Sequence, residues 1–208
     1  MPARLRPTAP IAAEAILVGD PGRALMLAQE LLEQPKMSNH ARGLWGYTGA
    51  TAAKHELTIQ STGMGGPSAS VVLSDLAELG VRRAIRIGTC ASLGDLELGD
   101  LLVVMEANEQ RPDRELTRAL QEGLPDSNAG HVVSLDSLYR PERDLPSVLA
   151  EAADMQTAAL LQRGSELDLA IAAVLIVVEK SDSGQLRDEE LEDVAKRAGS
   201  AAAALLSP

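Results

Sequence analysis

The sequence has no phenylalanine, one tryptophan and two tyrosines among its 208 residues, so its core cannot be built on ring packing. Leu, Val, Ile and Ala must fill it, a composition that suits buried strands covered by helices. Cysteine is nearly absent. Cys90 stands alone, which excludes an internal disulfide and fits a reducing cytoplasm. Positive charge is also short, with 19 Lys and Arg against 30 Asp and Glu and a formal net charge of -11. That balance argues against a nucleic-acid partner, which needs a basic face to displace counterions. A small anionic ligand is still admissible where arginines cluster against the global field. The stretch Met1 to Pro10 carries two arginines with no apolar signal region behind it, and no run approaches membrane-spanning length. The expectation is one cytoplasmic domain over residues 1–208, with no membrane partner.

What is present is a regular alternation. Ala15 to Val18 is a short apolar run closed by Gly19-Asp20-Pro21-Gly22, and Arg23 to Gln34 has helical spacing of leucines. Gly43 to Gly49 and Glu56 to Gln60 predict a hairpin. A glycine-rich turn, Gly63-Met64-Gly65-Gly66, then opens a helix from about Ser68 to Leu79. Arg83 to Cys90, Leu101 to Met105, Gly130 to Leu135 and Leu169 to Val178 predict strands. Helices are expected over Glu115 to Gln121, Ser147 to Arg163 and Asp188 to Leu206. Strands alternating with helices predict an α/β sandwich.

Three places join a strand end to glycine and arginine: Gly19 to Arg23, Arg42-Gly43, and Arg86-Ile87-Gly88-Thr89. Strand-to-helix turns present free backbone N–H groups and the positive end of a helix dipole, and arginine adds paired donors for oxyanions. A phosphate site is the economical reading. Singly each is weak, because Gly-Asp-Pro-Gly is ordinary turn chemistry and a lone arginine is usually a solvated charge.

Their order strengthens them. Gly19-Asp20-Pro21-Gly22-Arg23-Ala24, Arg42 to Gly49, Gly63 to Ser68, Ile85 to Cys90, Ser134 to Tyr139, Asp154 to Ala159 and Ser181-Asp182 follow one another as in the purine and uridine phosphorylase family, nucleoside phosphorylase family 1, which the chain resembles over nearly its whole length. The resemblance implies a three-layer α/β/α sandwich on a central mixed, twisted sheet. It implies phosphorolysis of a nucleoside to free base and ribose 1-phosphate, with phosphate as co-substrate and no metal or other cofactor. Gly19, Arg23, Arg86 and Thr89 would hold phosphate, and Arg42 would reach a neighbouring subunit's phosphate site in a homo-oligomer, a dimer or a hexamer built as a trimer of dimers. Met64 and Met155 would pack on the ribose, with Gln156 beside them, and Tyr139 would face the base. Asp182 would be the acid that protonates a purine at N7, which favours purines over uridine; on its own, Ser181-Asp182 reads as a cap.

The chain also departs from the family pattern. Gln156 stands where the family has a glutamate that accepts from the sugar hydroxyls, and Leu138 replaces the first ring of an aromatic pair. Arg4 lies in the stretch that supplies a histidine, the Met105 to Gly130 connection is short, and Arg187 is the nearest candidate to partner Asp182. These departures cluster on the nucleoside side. They leave an alternative, a catalytically impaired member that binds phosphate or a nucleotide-like ligand or serves as an assembly subunit. Hydrolysis is disfavoured by retention of Arg23, Arg42 and Arg86.

Overall fold

The computed structural model describes residues 4–137, 150–181 and 184–207. In chain order the elements are β1 (Glu14–Val18), α1 (Pro21–Leu31), β2 (Glu33–Asn39), β3 (Gly46–Ala50), β4 (Glu56–Ser61), α2 (Gly66–Glu78), β5 (Arg83–Ser92), β6 (Leu101–Ala107), α3 (Arg114–Gly123), β7 (Asn128–Ser134), β8 (Ala152–Asp154), α4 (Thr157–Glu166), β9 (Ala170–Lys180), β10 (Gly184–Gln185) and α5 (Asp188–Leu206). A short 3-10 turn, Ala41–Gly43, joins β2 to β3.

One mixed sheet contains all the described strands. β1 lies parallel between β4 and β5, and β5 also runs parallel to β9. From β9 the sheet continues through antiparallel β6, then parallel β7 and β8, and β8 returns to pair with the far end of β5. Strands β5, β9, β6, β7 and β8 thus close into a ring, while β1, β4, β3 and β2 extend from it as an open wing. β5 makes this possible because it is long: residues 83–87 pair with β1 and residues 91–92 with β8.

The buried strands are apolar on both faces, as strands covered by helices must be. In β9, Ala173, Leu175 and Val177 pack into one cluster, and Ala172, Val174 and Ile176 into another on the opposite face. The first cluster takes Val72, Leu73 and Leu76 of α2 with Leu160 and Leu161 of α4. The second takes Leu27 of α1, Leu116 and Leu120 of α3, and Ala195, Ala198 and Ala202 of α5. The expected sandwich of helices on both sides of a mixed sheet is the observed architecture.

Three local expectations need correction. The helix predicted through Gln34 ends at Leu31, and residues 33–39 form the edge strand β2. Gln34 precedes Pro35, a context that disfavours helical backbone, and Gln34 takes a positive φ of 47°. The strand predicted from Gly43 begins at Gly46, behind the 3-10 turn. Of the helical region expected over Ser147 to Arg163, residues 147–149 lie outside the described residues; from residue 150 on, helix begins at Thr157, and Ala152–Asp154 is a strand, because ladder pairing to β5 and β7 overrides alanine's helix preference.

Candidate active site

The carboxyl ends of parallel strands are where an open α/β sheet leaves room for a ligand. Here the ends of β1, β5 and β9 face a cavity of about 410 Å³, closed by the Gly63–Gly65 loop before α2 and by residues 153–156 before α4. The β1 end is fixed by capping. Asp20 leaves β1 in extended conformation, its Oδ2 accepts from the Arg23 N–H at 2.8 Å, and Pro21 stands at the start of α1. The α2 end is fixed by backbone. Gly63 and Gly65 take φ of 72° and 82°, which lifts Met64 between them to 83% exposure at the cavity mouth.

Arg86 lies in the middle of a buried strand, 4% exposed, and such a charge requires an internal counter-charge. Asp154 supplies it: Arg86 Nη2 donates to Asp154 Oδ2 at 3.0 Å. Arg86 Nη1 donates to Gln156 Oε1 at 2.8 Å, and Nε donates to Thr157 Oγ1 at 3.1 Å. Asp154 in turn accepts from the Thr157 N–H at 3.0 Å, the Thr157 hydroxyl at 2.6 Å, and the Ser134 hydroxyl. The guanidinium folds back over its own strand at Gly88. A Cβ there would stand 2.6 Å from Arg86 Cζ and equally close to Leu175 Cδ2.

Arg23 is different. It faces the same cavity, yet among the described residues its guanidinium makes no hydrogen bond or ion pair. Burial pushes its pKa down, Asp20 opposes that shift, and the neighbouring Arg86 charge adds to it. A desolvated cation of this kind has unfilled capacity for an anion. Cys90, also on the wall, is unsuited to nucleophilic work: burial first, then the Asp154 charge, push its thiol up to about 12, with Arg86 opposing, and Sγ donates to the Ile176 carbonyl at 3.6 Å.

Gly19, Arg23, Met64, Arg86, Thr89, Met155 and Gln156 all line this one cavity. Arg42 does not; it is exposed on the 3-10 turn, with φ 61° and ψ 18°. Asp182, Tyr139 and Leu138 lie outside the described residues. Arg187 is exposed at the start of α5, where Nη2 pairs with Glu190 Oε1 at 2.5 Å. The Arg4 backbone N–H donates to the Asp75 carboxylate on α2, away from the cavity walls. Among the described residues, no group of three or more His, Cys, Asp and Glu is placed to hold a metal ion.

A family model described as the phosphorylase superfamily matches residues 14–208. The chain belongs to the phosphorylase superfamily. Among the relatives of this superfamily member, a DeoD-type purine nucleoside phosphorylase of Streptococcus suis (strain 05ZYH33) is 31% identical over 193 residues, covering 80% of the chain and 81% of the relative. A DeoD-type purine nucleoside phosphorylase of Caldanaerobacter subterraneus subsp. tengcongensis is 28% identical over 206 residues, covering 86% and 88%. The crystal structure of purine nucleoside phosphorylase from Toxoplasma gondii in complex with immucillin-H shares the fold, with a TM-score of 0.80 at 22% identity, covering 95% of this chain and 90% of that one.

Sequence reasoning about this phosphorylase-superfamily chain missed Asp154, Thr157, Thr62 and Ser134. One signal was available. An arginine set between Ile85 and Ile87 in an apolar strand demands a buried acceptor, though nothing in the spacing says which carboxylate provides it.

Proposed function

We propose that the chain catalyses phosphorolysis of a nucleoside, a purine in preference to uridine, giving free base and ribose 1-phosphate. The single observation that carries the reading is the pair of guanidiniums, Arg23 and Arg86, facing one cavity with Met64 and Met155. Two cations and two apolar side chains on the walls of one cavity suit a ligand pair of which one member is anionic and the other uncharged. The similarity to DeoD-type purine nucleoside phosphorylases supports the choice of base.

In this mechanism phosphate sits on Arg23 and Arg86, with the Gly19 backbone and the Thr89 hydroxyl completing its shell. Glycosidic cleavage leaves a ribosyl group with oxocarbenium character. An oriented phosphate oxygen both stabilises that charge and forms the new C1′–O bond, while the N-glycosidic bond breaks and its electrons pass to the base. Asp182 protonates the departing purine at N7, so the base leaves neutral. Met64 and Met155 wall the sugar, and Tyr139 faces the base. No metal or organic cofactor enters. The protein works in the cytoplasm as a homo-oligomer, a dimer or a trimer of dimers, in which Arg42 enters a neighbour's phosphate site; its exposed position outside its own cavity suits that role.

The test is release of free base from inosine, adenosine and uridine, with and without inorganic phosphate. Phosphate-dependent release, fastest with the purines, is expected. Equal release without phosphate would make the chain a hydrolase. No release with a broad panel, alongside measurable phosphate binding, would establish the impaired binding or assembly subunit, a reading favoured by one observation: the polar atoms of Gln156 are all engaged inside the protein.

A further inference from the structure

We infer that Gln156 works on the anion side of this cavity: together with Asp154 and Thr157 it is a positioning residue that fixes Arg86, and it does not read the sugar hydroxyls. The inference rests on the phosphate site proposed above and assigns roles within it.

Arginine has five N–H donors on a rigid plane. Three of them in Arg86 go to protein acceptors, Nε to Thr157, Nη1 to Gln156 and Nη2 to Asp154. The two that remain sit one on each terminal nitrogen, which leaves Arg86 two donors for an oxyanion. Each of the three nitrogens is thus tied to a different acceptor, and the plane of the guanidinium is set before any ligand arrives. Such preorganisation removes the entropic cost of ordering a long side chain when the anion binds.

Gln156 has no polar capacity left for a sugar. Its Oε1 accepts from Arg86 and is approached by the Thr62 hydroxyl at 3.0 Å. Its Nε2 donates to the Gly63 carbonyl and reaches the Gly65 carbonyl at 3.4 Å. This pattern fixes the amide orientation, since only the nitrogen can face two carbonyls and only the oxygen can face a guanidinium. It also explains why the amide serves here: a carboxylate would turn an oxygen toward the Gly63 carbonyl. Gln156 is 3% exposed, so neither end is free to swing out. Thr157 does not line the cavity; it acts on the site through Arg86 and through Asp154, the counter-charge of Arg86.

The experiment uses the full chain with two variants, Gln156→Leu and Thr157→Val. Inorganic phosphate binding is measured by calorimetry, and kcat/KM is measured for a purine ribonucleoside and its 2′-deoxy counterpart. The expected result is phosphate affinity lowered roughly tenfold or more in both variants, from the loss of a charged hydrogen bond on Arg86, with the ribo-to-deoxy ratio unchanged. Thr157→Ser, which keeps the hydroxyl, should restore wild-type affinity. Should Gln156→Leu fail to fold, Thr157→Val and its serine rescue decide the matter alone. A wild type that binds phosphate while both variants bind it equally well overturns the inference and leaves the phosphorylase reading standing. So does a Gln156→Leu protein whose ribo-to-deoxy ratio shifts at constant phosphate affinity. Failure of the phosphorylase reading looks different, namely no base release by the wild type.

Discussion

The Arg86 guanidinium occupies the space that a side chain at position 88 would fill: a Cβ on Gly88 would lie 2.6 Å from both Cζ and Nη2 of Arg86. Gly88→Ala must therefore move the arginine off its three acceptors or push back Leu175. Overpacking of this kind costs about 1–3 kcal/mol. A lower thermal midpoint together with weaker phosphate binding is expected, and calorimetry on the folded variant separates the two. Wild-type phosphate affinity in Gly88→Ala would show that the guanidinium has freedom it is denied here.

Asp154 neutralises Arg86 in a site where both side chains are at most 5% exposed. Removing one member of such a pair leaves a buried charge uncompensated, at a cost of about 3–5 kcal/mol. Asp154→Ala should lose stability on that scale in urea denaturation. Asp154→Asn keeps the shape and an acceptor, so it should lose less. Equal stability of the wild type and Asp154→Ala would mean that the ion pair does not form in solution.

Arg23→Met should behave in the opposite sense. The guanidinium is partly buried and makes no hydrogen bond among the described residues, so replacing it with an apolar chain of similar length removes a charge held partly out of water without breaking a contact. Stability should be retained or raised, while the KM for phosphate rises by roughly tenfold to a hundredfold as a charged contact is lost. A marked fall in the melting temperature with an unchanged KM would refute this division of roles. Stability given up at one residue in favour of binding is a familiar pattern at functional sites.

Cys90 gives a pH signature. Its thiol rises from an ordinary value of 9.0 to about 12 in the folded chain. A group whose folded pKa lies above its unfolded one favours the folded state while it is protonated in both. That contribution is complete below about pH 9 and is lost as the pH rises from 9 toward 12, because the unfolded thiol ionises first. Denaturation midpoints at pH 8 and pH 10 should fall more steeply for the wild type than for Cys90→Ala. Parallel slopes would show that the thiol is not held neutral. A thiol reagent at pH 8 should label the protein only after unfolding.

The sequence made most of this fold legible because its buried strands are unbroken aliphatic runs and its helices carry clear leucine spacing. β2 escaped because Glu33-Gln34-Pro35-Lys36 has no strand pattern; it exists through pairing with β3. β8 escaped because three residues, two of them alanine, give no period to read, and its place comes from β5 and β7. At the site, the residues lining the cavity were legible one motif at a time. The acceptors around Arg86 were not, since Asp154 lies 68 positions away along the chain and only the closed ring brings them together.

That ring also bears on how copies of the chain can meet. Among the described residues the sheet has two open edges, β10 and β2. β10 is two residues long, while β2 carries Pro35 and two breaks in its register with β3. Neither offers the straight row of backbone donors and acceptors on which a foreign strand could template, and both are the kind of guarded edge that resists runaway cross-β stacking. An assembly of copies, as proposed above, would then rest on side chains, where partner choice is set residue by residue.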